Sequence, residues 1–148
     1  MILAHALAAT AVMSLMLFAA PQTGLARERS IEVLDLDTIL KTHPLPPGGA
    51  GASVVASRRA GKGELQIVLA RKIPLHIHDQ DHVVFVERGT GTAWIENAIG
   101  EIETRPVKPG DIIDVPRGKK HGFEKTRDED LVLLVLTTPS RTPPKFFE

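Results

Sequence analysis

Apolar and polar side chains alternate along most of the chain beyond residue 53, in short runs that are separated by turns. The period of two, with many β-branched residues, is typical of strands that are buried on one face. The predicted strands are residues 54–58, 64–70, 73–78, 82–87, 92–96, 99–104, 112–115, 121–125 and 131–136. Such a series, with little helix, predicts an all-β barrel or jelly roll whose alternate residues line a pocket.

The pairing of these strands is only partly predictable. Residues 82–87 and 92–96 are expected to form a hairpin, because the glycine-rich turn 88–91 lies between them. Residues 131–136 are continuously apolar, which favours a strand that is buried on both faces. The barrel is therefore assigned to residues 53–138, and no internal repeat or second domain is evident.

The first 26 residues follow another pattern. They contain no Lys, Arg, Asp or Glu, and residues 6–20 form an almost unbroken apolar run. About fifteen apolar residues are too few to span a bilayer but suit the central region of a secretory signal. We expect residues 1–26 to be a signal peptide cleaved after Ala26, which predicts a periplasmic or secreted protein without a stable membrane span. An uncleaved anchor and a misassigned start codon are the alternatives.

The segments flanking the barrel are short. Residues 27–52 are interpreted as an N-terminal strand and loop, with a strand at 31–34 and a helical turn or two at 35–41 capped by Asp35. His43 precedes Pro44 and is interpreted as a surface residue. Residues 139–148 form a Pro-rich tail, in which Phe146 and Phe147 need a partner surface, for which a second subunit is one candidate.

Composition narrows the chemistry. The 148 residues carry 18 basic and 18 acidic side chains and no cysteine. Disulfides, thiolate ligands and a cysteine nucleophile are therefore excluded. The balanced charge, without a basic stripe, argues against a nucleic-acid-binding protein.

Histidines are concentrated in one stretch. His76, His78 and His82 fall within seven residues, and His121 follows a turn forty residues later. On a strand, His76 and His78 point to the same face with backbones about 6.5–7 Å apart, so both imidazoles can converge on one ion. We predict a site for one divalent transition metal with His76, His78, His82 and His121 as ligands. Imidazoles suit Fe, Ni, Cu and Zn, and the sequence does not choose among them.

The motifs that surround these histidines resemble those of the cupin superfamily. Its first motif is commonly written G-x5-H-x-H-x3,4-E-x6-G and its second G-x5-P-x-G-x2-H-x3-N. His76, His78 and Gly89 match the first motif, and the second is matched at Gly110, Pro116, Gly118 and His121. The resemblance covers residues 63–136 and implies a double-stranded β-helix. It also implies a small-molecule substrate or ligand and a homodimer.

Three positions depart from the pattern. Ala70 replaces the opening glycine, Lys125 replaces the final asparagine, and His82 replaces the usual glutamate ligand. Four neutral imidazoles leave the full +2 charge on a divalent ion, which favours an anionic substrate and disfavours hard ions such as Mn²⁺. His82 can alternatively act outside the ligand set, as an acid–base residue. Asp81 is interpreted as a turn residue, with orientation of an imidazole as the alternative.

The resemblance implies several functions. The leading hypothesis is a metal-dependent oxygenase, and the alternatives are a non-catalytic metal- or ligand-binding protein of the periplasm and a metal-assisted isomerase. The order of histidines and aspartates also approaches the H-x-H-x-D-H signature of metallo-β-lactamase-like hydrolases. One residue too many separates the second histidine from Asp81, and the chain is too short for that fold. Candidates for a catalytic base are Glu96, Glu101 and Glu103, and candidates for lining the pocket are Phe85 and Trp94.

Overall fold

The structure is a computed structural model that describes residues 30–48, 51–138 and 144–147. The predicted signal peptide, residues 1–26, lies outside the described residues. The chain divides into two compact units, Met1–Val33 and Leu34–Glu148. The helix and all ten strands of the described residues belong to the second unit.

Antiparallel strands make up nearly all of the described structure. One helix, α1 (Leu36–Thr42), precedes ten strands. The strands are β1 (Ala52–Ala60), β2 (Gly63–Ala70), β3 (Lys72–Ile77), β4 (His82–Arg88), β5 (Gly91–Glu96), β6 (Ile102–Val107), β7 (Ile112–Val115), β8 (His121–Lys125), β9 (Leu131–Thr137) and β10 (Lys145–Phe146). The predicted all-β fold with little helix is confirmed.

The strands form two five-stranded sheets. The first sheet has the order β1-β2-β9-β4-β7, and the second has the order β10-β3-β8-β5-β6. The sheets enclose a core in which Ala70, Val86 and Leu131 have no solvent exposure and Phe123 has almost none. Burial of such apolar side chains is the main stabilising contribution to a fold of this size.

Helix α1 packs against a second, smaller apolar cluster, whose buried members come from other parts of the chain. Its Ile39 and Leu40 pack against the cluster that contains Leu69 of β2. The carboxylate of Asp35 accepts a hydrogen bond of 2.7 Å from the backbone N–H of Thr38, and this N-cap satisfies a donor that the first turn leaves free. The capped helix predicted from the sequence is therefore confirmed.

The predicted hairpin between residues 82–87 and 92–96 is wrong. β4 pairs with β7 and β9, whereas β5 pairs with β6 and β8 in the other sheet. Gly89, which precedes β5, has φ +77°, and a Cβ there would lie 2.7 Å from the carbonyl oxygen of Asp130. Because glycine has no Cβ, the chain can pass close to the backbone of Asp130 and continue into the second sheet, where β5 lies.

Three other strand predictions need correction. Residues 31–34 form no strand, and Ile31 and Val33 are at least 90% exposed. β6 begins at Ile102 instead of residue 99, because Asn97 forms a turn in which its side-chain oxygen accepts hydrogen bonds from two backbone N–H groups. β9 is buried on both faces only in part, since Leu136 is 49% exposed.

The Pro-rich tail contains an unpredicted strand. β10 pairs with β3, placing Phe146 opposite His76, and the backbone N–H of Phe147 donates to the carbonyl of Leu75 at 2.8 Å. The amine of Lys120 lies 5.2 Å from the centre of the Phe147 ring. These contacts cover the two rings only in part, since Phe146 is 61% exposed and Phe147 is 38% exposed. Among the described residues, no helix is long and apolar enough to cross a membrane.

Candidate metal centre

Four histidines gather at one end of the space between the sheets. His76 on β3 pairs with His121 on β8, and His78 lies directly after β3. His82 is the first residue of β4, in the opposite sheet. His76, His82 and His121 are each at most 6% exposed. The second sheet thus provides three imidazoles and the first sheet provides one.

The three imidazoles of the second sheet lie within reach of a single ion. One ring nitrogen from each of His76, His78 and His121 lies within 4.8 Å of the others. Nitrogens bound at about 2.1 Å on neighbouring positions of one tetrahedral or octahedral ion are about 3.0–3.4 Å apart. The widest pair must therefore approach by up to about 1.4–1.8 Å before the three imidazoles form a ligand set, and the donor atoms themselves suit a divalent transition metal.

Backbone carbonyls orient two of these rings. Nδ1 of His76 lies 2.8 Å from the carbonyl oxygen of Pro74, and Nδ1 of His121 lies 3.0 Å from that of Lys119. A carbonyl oxygen only accepts, so each Nδ1 carries the proton and each Nε2 keeps a lone pair. Hydrogen bonds of this kind fix the tautomer and raise the basicity of metal-binding histidines.

His82 is close to the group but outside it. Its ring centre is 4.3 Å from that of His78 and 5.6 Å from that of His121. Its Nε2 lies 3.2 Å from the side-chain oxygen of Gln80, to which it donates. Ligation through Nε2 therefore requires His82 to release Gln80, and its place in the ligand set stays a prediction.

Burial keeps the imidazoles uncharged. Desolvation lowers the pKa of His78, His82 and His121 to about 4 in each case, with repulsion between neighbouring histidines as a further cause. Desolvation also lowers the pKa of His76. All four are therefore neutral near pH 7, which is the protonation state that binds a metal.

The two loops that carry the histidines are tied together. The backbone N–H and the guanidinium of Arg117 donate to the Asp81 carboxylate, and this pairing lowers the pKa of Asp81 to about 2. The N–H of Gly118, at φ +76°, donates to the carbonyl of His78 at 2.7 Å. Asp81 therefore contacts the opposite loop and not an imidazole, which excludes the alternative role considered for it.

The histidines open into a cavity of about 260 Å³. Its wall is mostly apolar and includes Val68, Val84, Phe123, Leu133 and Val135. Neither Phe85 nor Trp94 is part of this wall, so neither of the two candidates named from the sequence lines the cavity.

The lining includes no Asp, Glu, Lys or Arg from the described chain. The candidate bases Glu96, Glu101 and Glu103 are not part of the lining. Glu96 is paired with Lys119, and Glu103 with Arg105. Gln66 and Gln80 also line the cavity, and sequence analysis missed them both. A glutamine in or beside a strand is normally interpreted as a surface residue. The signal in the sequence was that Gln66 and Val68 are two residues apart and therefore lie on the same face of a strand.

Two relatives are similar to much of the chain. Auxin-binding protein 1 of Arabidopsis thaliana is 29% identical over 136 residues, which cover 86% of this chain and 65% of that protein. An acireductone dioxygenase of Gluconacetobacter diazotrophicus is 30% identical over 90 residues, covering 61% of this chain and 50% of that protein. The chain thus spans between half and two thirds of the length of these relatives.

A solved structure supports the fold. An uncharacterized conserved protein of Klebsiella pneumoniae with a double-stranded β-helix domain superposes with a TM-score of 0.62 at 15% identity, covering 80% of this chain and 99% of that one. The Cupin_2 model, described as a cupin domain, matches residues 61–137, just over half of the chain. With this match, two five-stranded sheets and a histidine group between them, the chain belongs to the cupin domain family.

Proposed function

We propose that the protein is a metal-dependent enzyme, an oxygenase that acts on a small anionic substrate. Its cofactor is one divalent Fe, Ni, Cu or Zn ion held by His76, His78 and His121, with His82 as the fourth ligand. The observation that carries the proposal is the convergence of three neutral imidazoles in a cavity with apolar walls. The name of the acireductone dioxygenase relative supports the reaction class.

When bound, the ion would supply Lewis-acid chemistry at one end of the cavity and, in the case of Fe, Ni or Cu but not Zn, electron-transfer chemistry as well. The protein residues position the ion and the substrate. The carbonyls of Pro74 and Lys119 accept from Nδ1 of His76 and His121 and so leave the Nε2 lone pairs of both rings free for the ion. The apolar wall excludes water, which strengthens electrostatic interactions between an anionic substrate and the site.

A ligand-binding protein is the second candidate. It is favoured by the name of the auxin-binding relative and by the absence of a carboxylate from the described lining of the cavity. A metal-assisted isomerase needs a base beside the substrate. Within the described residues, the polar side chains that line the cavity besides the three-histidine group are Gln66, Gln80 and His82, and none of them is a carboxylate. Isomerisation is therefore the least supported of the three.

Localisation and assembly are further parts of the proposal. Export to the periplasm or beyond is supported by the uncharged apolar segment within residues 1–26. A homodimer is implied by the family resemblance. Light scattering at micromolar concentration tests the dimer, and a monomeric mass contradicts it.

The function is tested by metal content and oxygen consumption. The purified protein is expected to contain close to one equivalent of metal, and replacement of His121 by Ala is expected to abolish stoichiometric binding. His43→Ala is the matched control, because His43 lies at the end of α1 and outside the cavity. Oxygen uptake with enediol or catechol substrates supports the oxygenase. Stoichiometric metal without turnover favours the ligand-binding alternative. No metal uptake by the wild type or by His43→Ala overturns the enzyme and leaves a ligand-binding barrel.

A further inference from the structure

Gln66 occupies an inward-facing position in the first sheet. Along β2, Ile67 and Leu69 pack in the cluster under α1, whereas Val68 and Ala70 belong to the core between the sheets. Because strand residues alternate, Gln66 shares the inner face with Val68. It pairs with Val135 of β9, which pairs in turn with Val84 of β4. All three of these neighbouring residues line the cavity.

Gln66 lies one row deeper than the histidines. The outer row of the same face consists of Glu64, Thr137 and His82, and the next row inward consists of Val68, Leu133 and Val86. Gln66 is thus a polar group set between His82 and the apolar interior. Glu64, nearer the mouth, does not line the cavity.

The two cavity glutamines differ in their partners. Gln80 uses both ends of its amide, since Nε2 donates to the carbonyl of Thr138 at 2.6 Å and Oε1 accepts from His82. The amide of Gln66 has no hydrogen-bond partner within the described protein, although the residue is half-buried. A half-buried amide without a protein partner can bond to water, and it is equally available to a ligand that enters the cavity and replaces that water.

The size of the cavity restricts the ligand. A cavity of about 150 Å³ accommodates benzene, and drug-sized ligands occupy roughly 300–1,000 Å³. At about 260 Å³ the present cavity admits one substituted ring or a chain of similar volume. No cationic side chain lines it within the described residues. A second negative charge far from the metal would therefore be buried without a partner, which is costly.

We propose that Gln66 is a specificity-determining residue of this cavity. Its ligands are small molecules with two adjacent oxygen donors at the histidine end, an apolar body, and a single uncharged hydrogen-bonding group that the Gln66 amide binds. The inference rests on the proposed metal site. It extends the proposed function by assigning a polar contact at the end of the substrate opposite the metal.

A pair of matched probes tests this assignment. 4-(Hydroxymethyl)catechol and 4-ethylcatechol have the same size and the same chelating oxygens, but only the first carries the additional hydroxyl. Each is titrated into Co²⁺-loaded protein, and dissociation constants are obtained from the visible spectrum of the ion. The wild type is expected to favour the alcohol relative to Gln66→Met by about tenfold, the value of one hydrogen bond of roughly 1.4 kcal/mol.

The outcomes are distinguishable. Gln66→Asn retains a neutral amide on the same strand face and should keep more of the preference for the alcohol than Gln66→Met. It also supplies a result if Gln66→Met folds poorly. Metal uptake with the same ratio of dissociation constants in all three proteins overturns the role of Gln66 and leaves the proposed function intact. Failure of the wild type to bind Co²⁺ overturns the proposed function, and the inference with it.

Discussion

The two ends of the barrel interior are built from the same strands but from opposite chemistry. At one end, β4 and β9 contribute His82 and Thr137 to the inner face. Toward the other end, the same strands contribute Val86 and Leu131, which are fully buried and pack against the core. The end that contains Val86 and Leu131 is filled by apolar side chains, whereas the histidine end contains a cavity beside the imidazole rings. The fold and the candidate site should therefore respond to different substitutions.

The largest loss of stability is expected from Leu131→Ala, which removes apolar side-chain volume at the end opposite the histidines. Leu131 has no solvent exposure, and truncation of such a leucine costs about 2–5 kcal/mol in free energy of unfolding through lost burial and the cavity left behind. Urea unfolding of the metal-free protein measures this loss. His121→Ala, at the open end, should cost clearly less in the same experiment while abolishing stoichiometric metal binding. Equal losses of stability would contradict the division between the two ends.

Acid should weaken the histidine end selectively. His121 has a pKa of about 4 in the folded protein and about 6.5 when unfolded. Between these values the unfolded chain binds a proton that the folded chain does not, so the stability present above pH 6.5 falls as the pH drops toward 4. The loss at pH 4 should exceed the roughly 1.4 kcal/mol that corresponds to one unit of pKa shift.

The acid effect has an internal control. Urea unfolding of the metal-free protein at pH 7, 5.5 and 4 should show the loss, and His121→Ala should show a smaller one because one titrating imidazole is gone. An equal pH dependence in both proteins would mean that the effect arises elsewhere. Metal should oppose the loss, since only the neutral folded imidazoles bind it.

His82→Ala distinguishes a fourth ligand from a neighbour. His82 comes from the first sheet and donates to Gln80, unlike the three histidines of the second sheet. Loss of a residue that only orients a ligand weakens metal binding by roughly 10–100-fold. If His82 is itself a ligand, we expect His82→Ala to weaken metal binding at least as much. Competitive titration with a chelator measures the change. An unchanged affinity would limit the ligand set to His76, His78 and His121.

A smaller effect is expected when the loops are uncoupled. Asp81→Asn removes the charge that pairs with Arg117, while the exposed setting of both side chains keeps the contribution to stability small. We expect metal affinity to fall by only a few-fold, because the His78 carbonyl still accepts from Gly118. Arg105→Gln, which disrupts a comparable exposed pair with Glu103 far from the cavity, is the control and should leave affinity unchanged.

Sequence analysis was most successful where local pattern determines structure. Alternation placed His76 and His78 on one strand face, and the spacing to His121 brought the remote histidine to the same group. Asp35 identified the start of α1 correctly. These features depend on side chains close in sequence or on a motif of known spacing.

The features that were missed depend on which strands become neighbours. Alternation assigns Val86 and Ala93 to inner faces but does not reveal that β4 and β5 lie in different sheets, because both pairings would bury the same side chains. The role of Gln66 at the cavity wall likewise follows from the meeting of β2 with β9 and β4. The partner of Phe146 was missed because a Pro-rich tail carries no periodic signal.

The position of β10 has a consequence for the solution behaviour of the protein. Without it, β3 would be an edge strand, and its free backbone groups beside His76 would be open to strand addition from another chain. The short β10 occupies part of this edge, and Phe146 lies against His76 with ring centres 5.4 Å apart. The part of β3 that carries His76 and leads into His78 is thereby shielded from strand addition by the last described residues of its own chain.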